Sequence, residues 1–277
     1  MLRLWRDRIL ASLAPGGVAW LRLSHGRQGE VRDKQHVRID AQAGEAPWVA
    51  AAAAFQKQSA SWLTYSSDVS VVLSNEFVRY ALIPPTAGVN GEAEALALAR
   101  FHFGKIHGSR AQAWDMRLSP APRGTSRMAA AVDSALIKQL CDCFPRNSTA
   151  RLLSVQPWLM AAYNSARGQV PGAGAWLLLM EPERACVALL SGSTWKSVQN
   201  IRVERQDADH GATLLERERM RLDGAPAPHA VLVHDARESA TALLSKGQWQ
   251  PEALKVRWPT GVLESRDRAY HMALAAL

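Results

Sequence analysis

With 277 residues and 48% hydrophobic content, the chain has apolar surface enough for one large domain or two linked ones, which excludes a disordered chain. A formal charge of +8 and a pI near 9.8 suit an anionic neighbour such as nucleic acid, lipid headgroups or an acidic protein, although an Arg- and Ala-rich composition from a GC-rich genome accounts for them equally. No run approaches the roughly 18 apolar residues of a membrane span, and Arg3, Arg6, Asp7 and Arg8 interrupt any signal-peptide core, so a cytosolic protein is expected.

Leu2, Trp5 and Ile9 recur at helical spacing among Arg3, Arg6 and Arg8. The pattern predicts a short basic amphipathic helix that packs on its own domain, with a membrane surface as the alternative site. After Pro15-Gly16-Gly17, residues 18–23 alternate as a strand, Ser24-His25-Gly26 turns, and residues 31–39 form its antiparallel partner. Residues 46–55 are alanine-rich and predict a helix with Pro47 in its first turn. In residues 69–85, Val69, Val71 and Leu73 form an alternating strand, Ser74-Asn75-Glu76 a turn, and residues 77–83 a second apolar strand that stops at Pro84-Pro85. This predicts a hairpin. Arg79 is the one charge in its second arm, read as a snorkelling or salt-bridged strand residue and as the single candidate for partner contact.

Asn90 is placed to cap a helix with Glu92 and Glu94 in its first turn and Leu96, Ala99 and Phe103 on its buried face, ending at Gly104. Residues 114–118 and 128–132 read as strands. Asp133 then caps a helix carrying Leu136, Ile137, Leu140, Cys141 and Phe144 on one face. Residues 151–155 are strand, and Pro157 opens a helix over 158–167. Three glycines and a proline in residues 168–174 mark the main domain boundary. The second half starts as a meander, with strands at 175–180, 185–190 and 195–203. A charged helix over 213–222, a strand over 229–233, a helix over 237–244, a strand over 254–258 and a terminal helix over 268–277 complete the chain. Both halves are therefore a meander followed by alternating helices and strands, the order expected of a duplicated α/β fold.

Chemistry-bearing residues are present without a catalytic pattern. Cys141, Cys143 and Cys186 have neither disulfide nor zinc spacing and are read as small core residues in a reducing compartment. His234 and Asp235 are adjacent on a strand end and point to opposite faces. His102 and His107 are five apart, which is not a metal-binding pair. Ser191-Gly192-Ser193-Thr194 reads as a turn. Arg202, Arg205, Arg217, Arg219 and Arg221 alternate with Glu204, Glu216 and Glu218, an exposed salt-bridged face that displaces a nucleic-acid reading. No catalytic, cofactor or metal residue is assigned.

The duplicated order and three stretches carry a resemblance. Residues 71–80, Val-Val-Leu-Ser-Asn-Glu-Phe-Val-Arg-Tyr, with the strand that runs on to Pro84, resemble the hairpin of the cytoplasmic PilM and GspL proteins. Ser154-Val155-Gln156-Pro157-Trp158-Leu159-Met160-Ala161 is similar to the strand and helix that join their halves, and Tyr270-His271-Met272-Ala273-Leu274-Ala275-Ala276-Leu277 to their last helix, without its usual glycine. The resemblance implies the actin-like ATPase (RNase H-like) fold, an α/β architecture of two related halves with mixed sheets flanked by helices. The first half would span 1–167 with an inserted subdomain, and the second 168–277. It implies a scaffold of type IV pilus assembly or type II secretion at the cytoplasmic side of the inner membrane. Its expected partner is a bitopic inner-membrane assembly protein, with a motor ATPase, self-association and peripheral membrane contact as further expectations.

Active members of the fold need glycine-bearing phosphate loops and an Asp that organises magnesium. This chain has Ala14-Pro15-Gly16-Gly17-Val18-Ala19 at the first and Glu181-Pro182-Glu183-Arg184 at the second, and His234-Asp235-Ala236-Arg237 in place of the adenosine-side glycines. A non-catalytic binding protein without cofactor is expected. Two alternatives stay open: a working actin-like ATPase or sugar-kinase-like enzyme with unusual loops, and a basic nucleic-acid-binding protein.

Overall fold

A computed structural model describes residues 6–25, 29–40, 44–63, 66–89, 91–192, 194–203, 210–222, 227–236, 248–262 and 266–277. In chain order the first part contains β1 (Asp7–Ala14), β2 (Gly17–Leu23), β3 (Val31–Arg38), α1 (Val49–Trp62), β4 (Ser67–Leu73), β5 (Val78–Ile83), α2 (Glu92–His107), β6 (Trp114–Leu118), β7 (Arg127–Asp133), α3 (Ser134–Asp142), β8 (Arg151–Pro157) and α4 (Trp158–Ala166). Then follow β9 (Ala175–Glu181), β10 (Arg184–Ser191), β11 (Thr194–Arg202), α5 (His210–Met220), β12 (Ala230–Asp235), β13 (Gln250–Ala253) and the short α6 (His271–Leu274).

The chain divides into two compact units. One comprises Met1–Val78, Val132–Ser165 and Val256–Leu277, and the other Arg79–Ala131 and Ala166–Lys255. The first holds a five-stranded sheet of order β3-β2-β1-β4-β8. β1, β2 and β3 are an antiparallel meander, and β4 and β8 add in parallel. Because Ile9 lies in β1, the amphipathic helix expected at the start of the chain is corrected from Asp7 onward, while residues 1–5 lie outside the described ones. Ile9, Leu10, Ala11 and Leu13 are all buried. A strand covered on both faces reads as one apolar run and shows no period of two.

The hairpin expected in residues 69–85 does not form. β4 lies between β1 and β8 and parallel to both, whereas β5 joins a separate sheet of order β5-β7-β6. A 3-10 turn at Asn75–Phe77 separates them, fixed by the Ser74 hydroxyl accepting from the Glu76 N–H at 3.0 Å. Strand propensity and a turn signal are common to a hairpin and to a chain that changes sheets; pairing partners decide between them.

On the first sheet, Trp20 stacks on Phe55 of α1 with ring centroids 4.3 Å apart, and on Trp62 at 5.8 Å. Trp62 Nε1 donates to Gln35 Oε1 at 2.7 Å, which settles the one polar atom of a buried indole. At the start of the strands, Asp68 accepts from Arg6 Nε at 2.7 Å and from Arg151 Nη2 at 2.9 Å, tying β1, β4 and β8 together. The C-terminal segment also packs here. Tyr270, Ala273 and Leu274 cover Leu10, Ala19, Leu21 and Leu23, and Lys34 Nζ reaches both oxygens of Asp267 at 2.8 and 2.7 Å. The terminal helix expected over 268–277 is a 3-10 turn (Arg268–Tyr270) and one α turn (His271–Leu274).

In the second unit the five-stranded sheet has the order β11-β10-β9-β12-β13, with the same sense of pairing as the first sheet. Trp176, Leu178, Met180, Val187, Leu215 and Val231 belong to its core. The last strand is Gln250–Ala253, not the expected 254–258. Its residues are exposed and lack a strand pattern, so pairing with β12 defines it, bounded by Gln250 N–H to His229 O and Leu254 N–H to Val233 O, both 2.8 Å. The helix expected over 237–244 lies outside the described residues. On the three-stranded sheet, Ala99 and Phe103 of α2 pack on Ala81, Ile83, Ala129 and Ala131. α2 runs past Gly104 to His107 and ends at Gly108, whose φ of 63° suits a glycine. Its N-terminus is closed by the Glu94 carboxylate accepting from Gly91 N–H at 3.1 Å; Asn90, expected as the cap, lies outside the described residues. Asp133 caps α3 as expected, accepting from Ala135 N–H at 2.9 Å. Leu136 and Leu140 are buried there, but Cys141 is exposed and Cys143 half-buried, so neither is the fully buried core residue expected.

Candidate functional site

The two stretches set against phosphate loops in the sequence, residues 14–19 and 181–184, both fall at hairpin tips. In the first, Ala14 pairs with Gly17 and the tip is Pro15-Gly16; in the second, Glu181 pairs with Arg184 and the tip is Pro182-Glu183. Each tip is two residues long and opens with proline, the residue whose fixed φ suits that position. Proline has no N–H, so each tip offers a phosphate one fewer amide donor. In the second tip the remaining residue is a glutamate, and Glu181 beside it is buried. The Glu183 carboxylate is taken by Arg202 Nη2 at 3.2 Å, so the tip presents an ion pair of the protein's own.

Gly17 has a packing reason to be glycine. A Cβ there would lie 2.5 Å from His36 Nε2 and 2.9 Å from Val37 O. The close approach of β3 across the hairpin therefore demands the missing side chain, independently of any ligand. At Gly16 an added Cβ would meet nothing within 4 Å, and its φ is not positive.

The third stretch begins at the end of β12. Ala236 N–H donates to Met180 O at 2.9 Å, His234 and Asp235 are both buried, and Arg237 lies outside the described residues. His234 stands in register with Leu179, and Leu179 with Cys186. His234, Glu181 and Cys186 therefore share one face of the second sheet, and Asp235 is on the other. Burial pushes the Cys186 thiol well above its ordinary range, the Glu181 charge pushes the same way, and Arg184 opposes them. A thiol held neutral is a poor nucleophile and a poor metal ligand. Among the described residues no group of three or more His, Cys, Asp or Glu is arranged to hold a metal ion.

Of the other singled-out residues, Arg202 reaches the second tip through Glu183, and the rest lie elsewhere in the sequence. Arg79, on β5, is half-buried and acts on His107: burial, then the Arg79 charge, hold that imidazole below its ordinary pKa. His107 also meets Trp114 edge-on at 5.0 Å, and His102 is half-buried on the same helix. Ser191 pairs with Thr194 around Gly192, whose φ is 55°, a hairpin turn as expected; Ser193 is not among the described residues. Arg219 pairs with Glu216, Arg221 with Glu218 at 3.0 Å, and Arg202 with Glu183 at 3.2 Å. Arg205 and Glu204 lie outside the described residues.

Asn75 has a role that the sequence pattern did not suggest. Its side chain is buried, and Oδ1 accepts from Leu159 N–H at 3.3 Å, at the first turn of α4. That N–H has no partner within its own helix, so Asn75 caps α4 from a segment 84 residues away in the chain. The turn in the stretch that carries the resemblance is thus a structural clamp within the first unit.

The same fold occurs among solved structures. The chain superposes on the PilM-PilN type IV pilus biogenesis complex with a TM-score of 0.68 at 13% identity, covering 99% of this chain and 98% of that one. A second match is the cytoplasmic domain of EpsL, an inner membrane component of the type II secretion system of Vibrio cholerae, with a TM-score of 0.57, 14% identity and coverage of 97% and 92%. A third is a Bacteroides thetaiotaomicron protein with an actin-like ATPase fold and unknown function, with a TM-score of 0.57, 11% identity and coverage of 85% and 84%. The fold is that of the actin-like ATPases. No family model and no curated protein matches the sequence. In the duplicated order of this fold β1–β2 and β9–β10 are equivalent hairpins, so the two proline-tipped turns are topological counterparts.

Proposed function

We propose that this actin-like protein is a non-catalytic scaffold of a type IV pilus or type II secretion-like assembly platform, holding a bitopic inner-membrane partner from the cytoplasmic side. The observation that carries the reading is the match to the PilM-PilN complex over 99% of this chain and 98% of that one. The match to an inner membrane component of a secretion system supports the same setting. A motor ATPase and self-association belong to this proposal as further contacts, and the division into halves at 1–167 and 168–277 as its domain plan. The loss of ATP chemistry is part of the proposal, supported by two tips that each lack an amide donor and by the carboxylates of the second. Arg79 is retained as the residue to test for partner contact.

The experiment is a pair of measurements on the full chain. Calorimetry with ATP and magnesium is expected to show no saturable heat, and the cytoplasmic segment of a bitopic membrane protein encoded beside this chain is expected to bind. An Arg79→Ala variant is expected to weaken that binding and to move the NMR titration of His107 part-way up toward its ordinary value. Saturable ATP binding with hydrolysis that a substitution in either turn abolishes would overturn the scaffold reading in favour of an enzyme.

A further inference from the structure

β6 is an edge of the three-stranded sheet, whose order is β5-β7-β6. Trp114, Met116 and Leu118 belong to the cluster formed with Ala99 and Phe103 of α2, so Asp115 and Arg117 point to the opposite face, where both are exposed. Just past the strand, Ser119 N–H donates to Met128 O of β7 at 2.8 Å. By alternation the N–H groups of Asp115 and Arg117 also turn toward β7, and those of Met116 and Leu118 turn outward. The edges of the five-stranded sheets are interrupted by register jumps in β3, β8 and β11 and by Pro251 in β13. β6 contains neither proline nor glycine.

The strand, Trp-Asp-Met-Arg-Leu, is complementary to its own reverse. When two such strands run antiparallel and centre on Met116, Asp115 of each copy faces Arg117 of the other, and Trp114 faces Leu118. Asp115 and Arg117 then form non-hydrogen-bonded pairs, the kind in which facing side chains come closest. Among the described residues neither has an ion-pair partner, whereas the exposed Arg202, Arg219 and Arg221 each have one. Trp114 and Leu118 are half-buried, and each would cover the open side of the other. Moving the register by two residues sets Asp115 against Asp115, or Arg117 against Arg117, so charge selects the centred register.

We propose that β6 pairs antiparallel with β6 of a second copy of this chain across a two-fold axis at Met116, joining the two three-stranded sheets into one. The contact is isologous, so each copy gives and receives the same interactions. Met116 exchanges its N–H and C=O with the second Met116, and Leu118 N–H donates to Trp114 O in both directions. Trp114 N–H takes no part, because Ala111 O already accepts it. The interface gives a surface to the self-association included in the scaffold reading, and rests on that reading only for its setting. A monomeric chain that still binds its membrane partner would overturn the interface alone; a dimer that binds no such partner would overturn that reading alone.

The test is sedimentation velocity of the full chain from about 1 to 300 μM, the range suited to a small interface. A monomer–dimer equilibrium is expected. Asp115→Arg and Arg117→Asp each set like charges against one another at both facing positions, and each is expected to weaken the dimer by roughly tenfold or more. An equimolar mixture of these two variants should dimerise again, because one strand then carries two cations and the other two carboxylates. A chain with both substitutions should regain the parent's dimerisation. Both side chains are exposed, so all variants should keep the parent's unfolding transition. A parent that stays monomeric over the whole range, single variants that dimerise as the parent does, or a mixture that stays monomeric would each overturn the proposal.

Discussion

Asn75, Gly17 and Glu218 each show a residue type chosen by its surroundings. With Asn75→Ala, the Leu159 N–H at the start of α4 loses its acceptor, a change that costs roughly 0.5–2 kcal/mol for a helix cap. Urea unfolding should register this loss, and an unchanged midpoint would show that Asn75 does not cap α4. Gly17→Ala introduces a Cβ 2.5 Å from His36 Nε2 and 2.9 Å from Val37 O, an overpacking expected to cost roughly 1–3 kcal/mol. Adding His36→Ala should recover only part of that, because the backbone oxygen remains. Glu218 has 1% of its side chain exposed, and burial raises its pKa from the ordinary value against the pull of Arg221 and Arg217. A carboxyl with a raised folded-state pKa stabilises the fold while protonated, and that contribution disappears as pH rises through the folded-state value. Glu218→Gln should therefore raise Tm at neutral pH and leave it near the parent's well below the carboxylate range. An equal change at both pH values would show that charge is not the cause.

At the scale of elements, the exposed edges of the two five-stranded sheets share a property. On β3 the register jumps across Arg32, on β8 across Leu153 and on β11 across Lys196, so each of these edge strands carries one residue without a counterpart on its neighbour. The fourth edge, β13, is four residues long and contains Pro251. Extra residues twist a strand, and proline removes a donor, so all four devices discourage an added strand. On β3 the Val31 N–H is in addition taken by Thr260 O at 3.0 Å. Deleting Lys196, which would make the β11 edge regular, is expected to increase self-association in light scattering. No increase would mean that the bulge protects nothing. A sequence reading finds these strands and misses the bulges, because an inserted residue shows only once its neighbour's register is known.

For the whole molecule, the repeated succession of a meander followed by helices and strands is what the sequence makes legible, whereas β1, read as a helix, and the parallel pairing of β4, read as one arm of a hairpin, emerge only in the structure. Both meanders are short alternating or apolar runs separated by turn residues, and both are followed by helix and strand signals. The C-terminal segment was legible only as a helix. Its packing on Leu10, Ala19, Leu21 and Leu23, with Asp267 held by Lys34, belongs to the tertiary structure. Removing residues 266–277 should uncover that apolar face, lower Tm and increase binding of a hydrophobic dye; an unchanged Tm would show that the first sheet does not need its cover. The two proline-tipped turns were likewise readable as turns, but the reason for Gly17 was not, since His36 approaches it only through the β2–β3 pairing.

Local chemistry alone determined most of the strands and helices between residues 17 and 203, where prolines stop them, and that the chain repeats its order, while it misplaced β1, β13 and the terminal helix. These follow from side-chain period and backbone restriction, which act over a few residues. The tertiary structure decided that β4 and β5 enter different sheets, that Asn75 caps a helix 84 residues away, and that Phe101 and Ile106 remain uncovered. Each of these depends on which distant segment arrives alongside, and strand pairing, capping at a distance and burial carry no local signature of their partner.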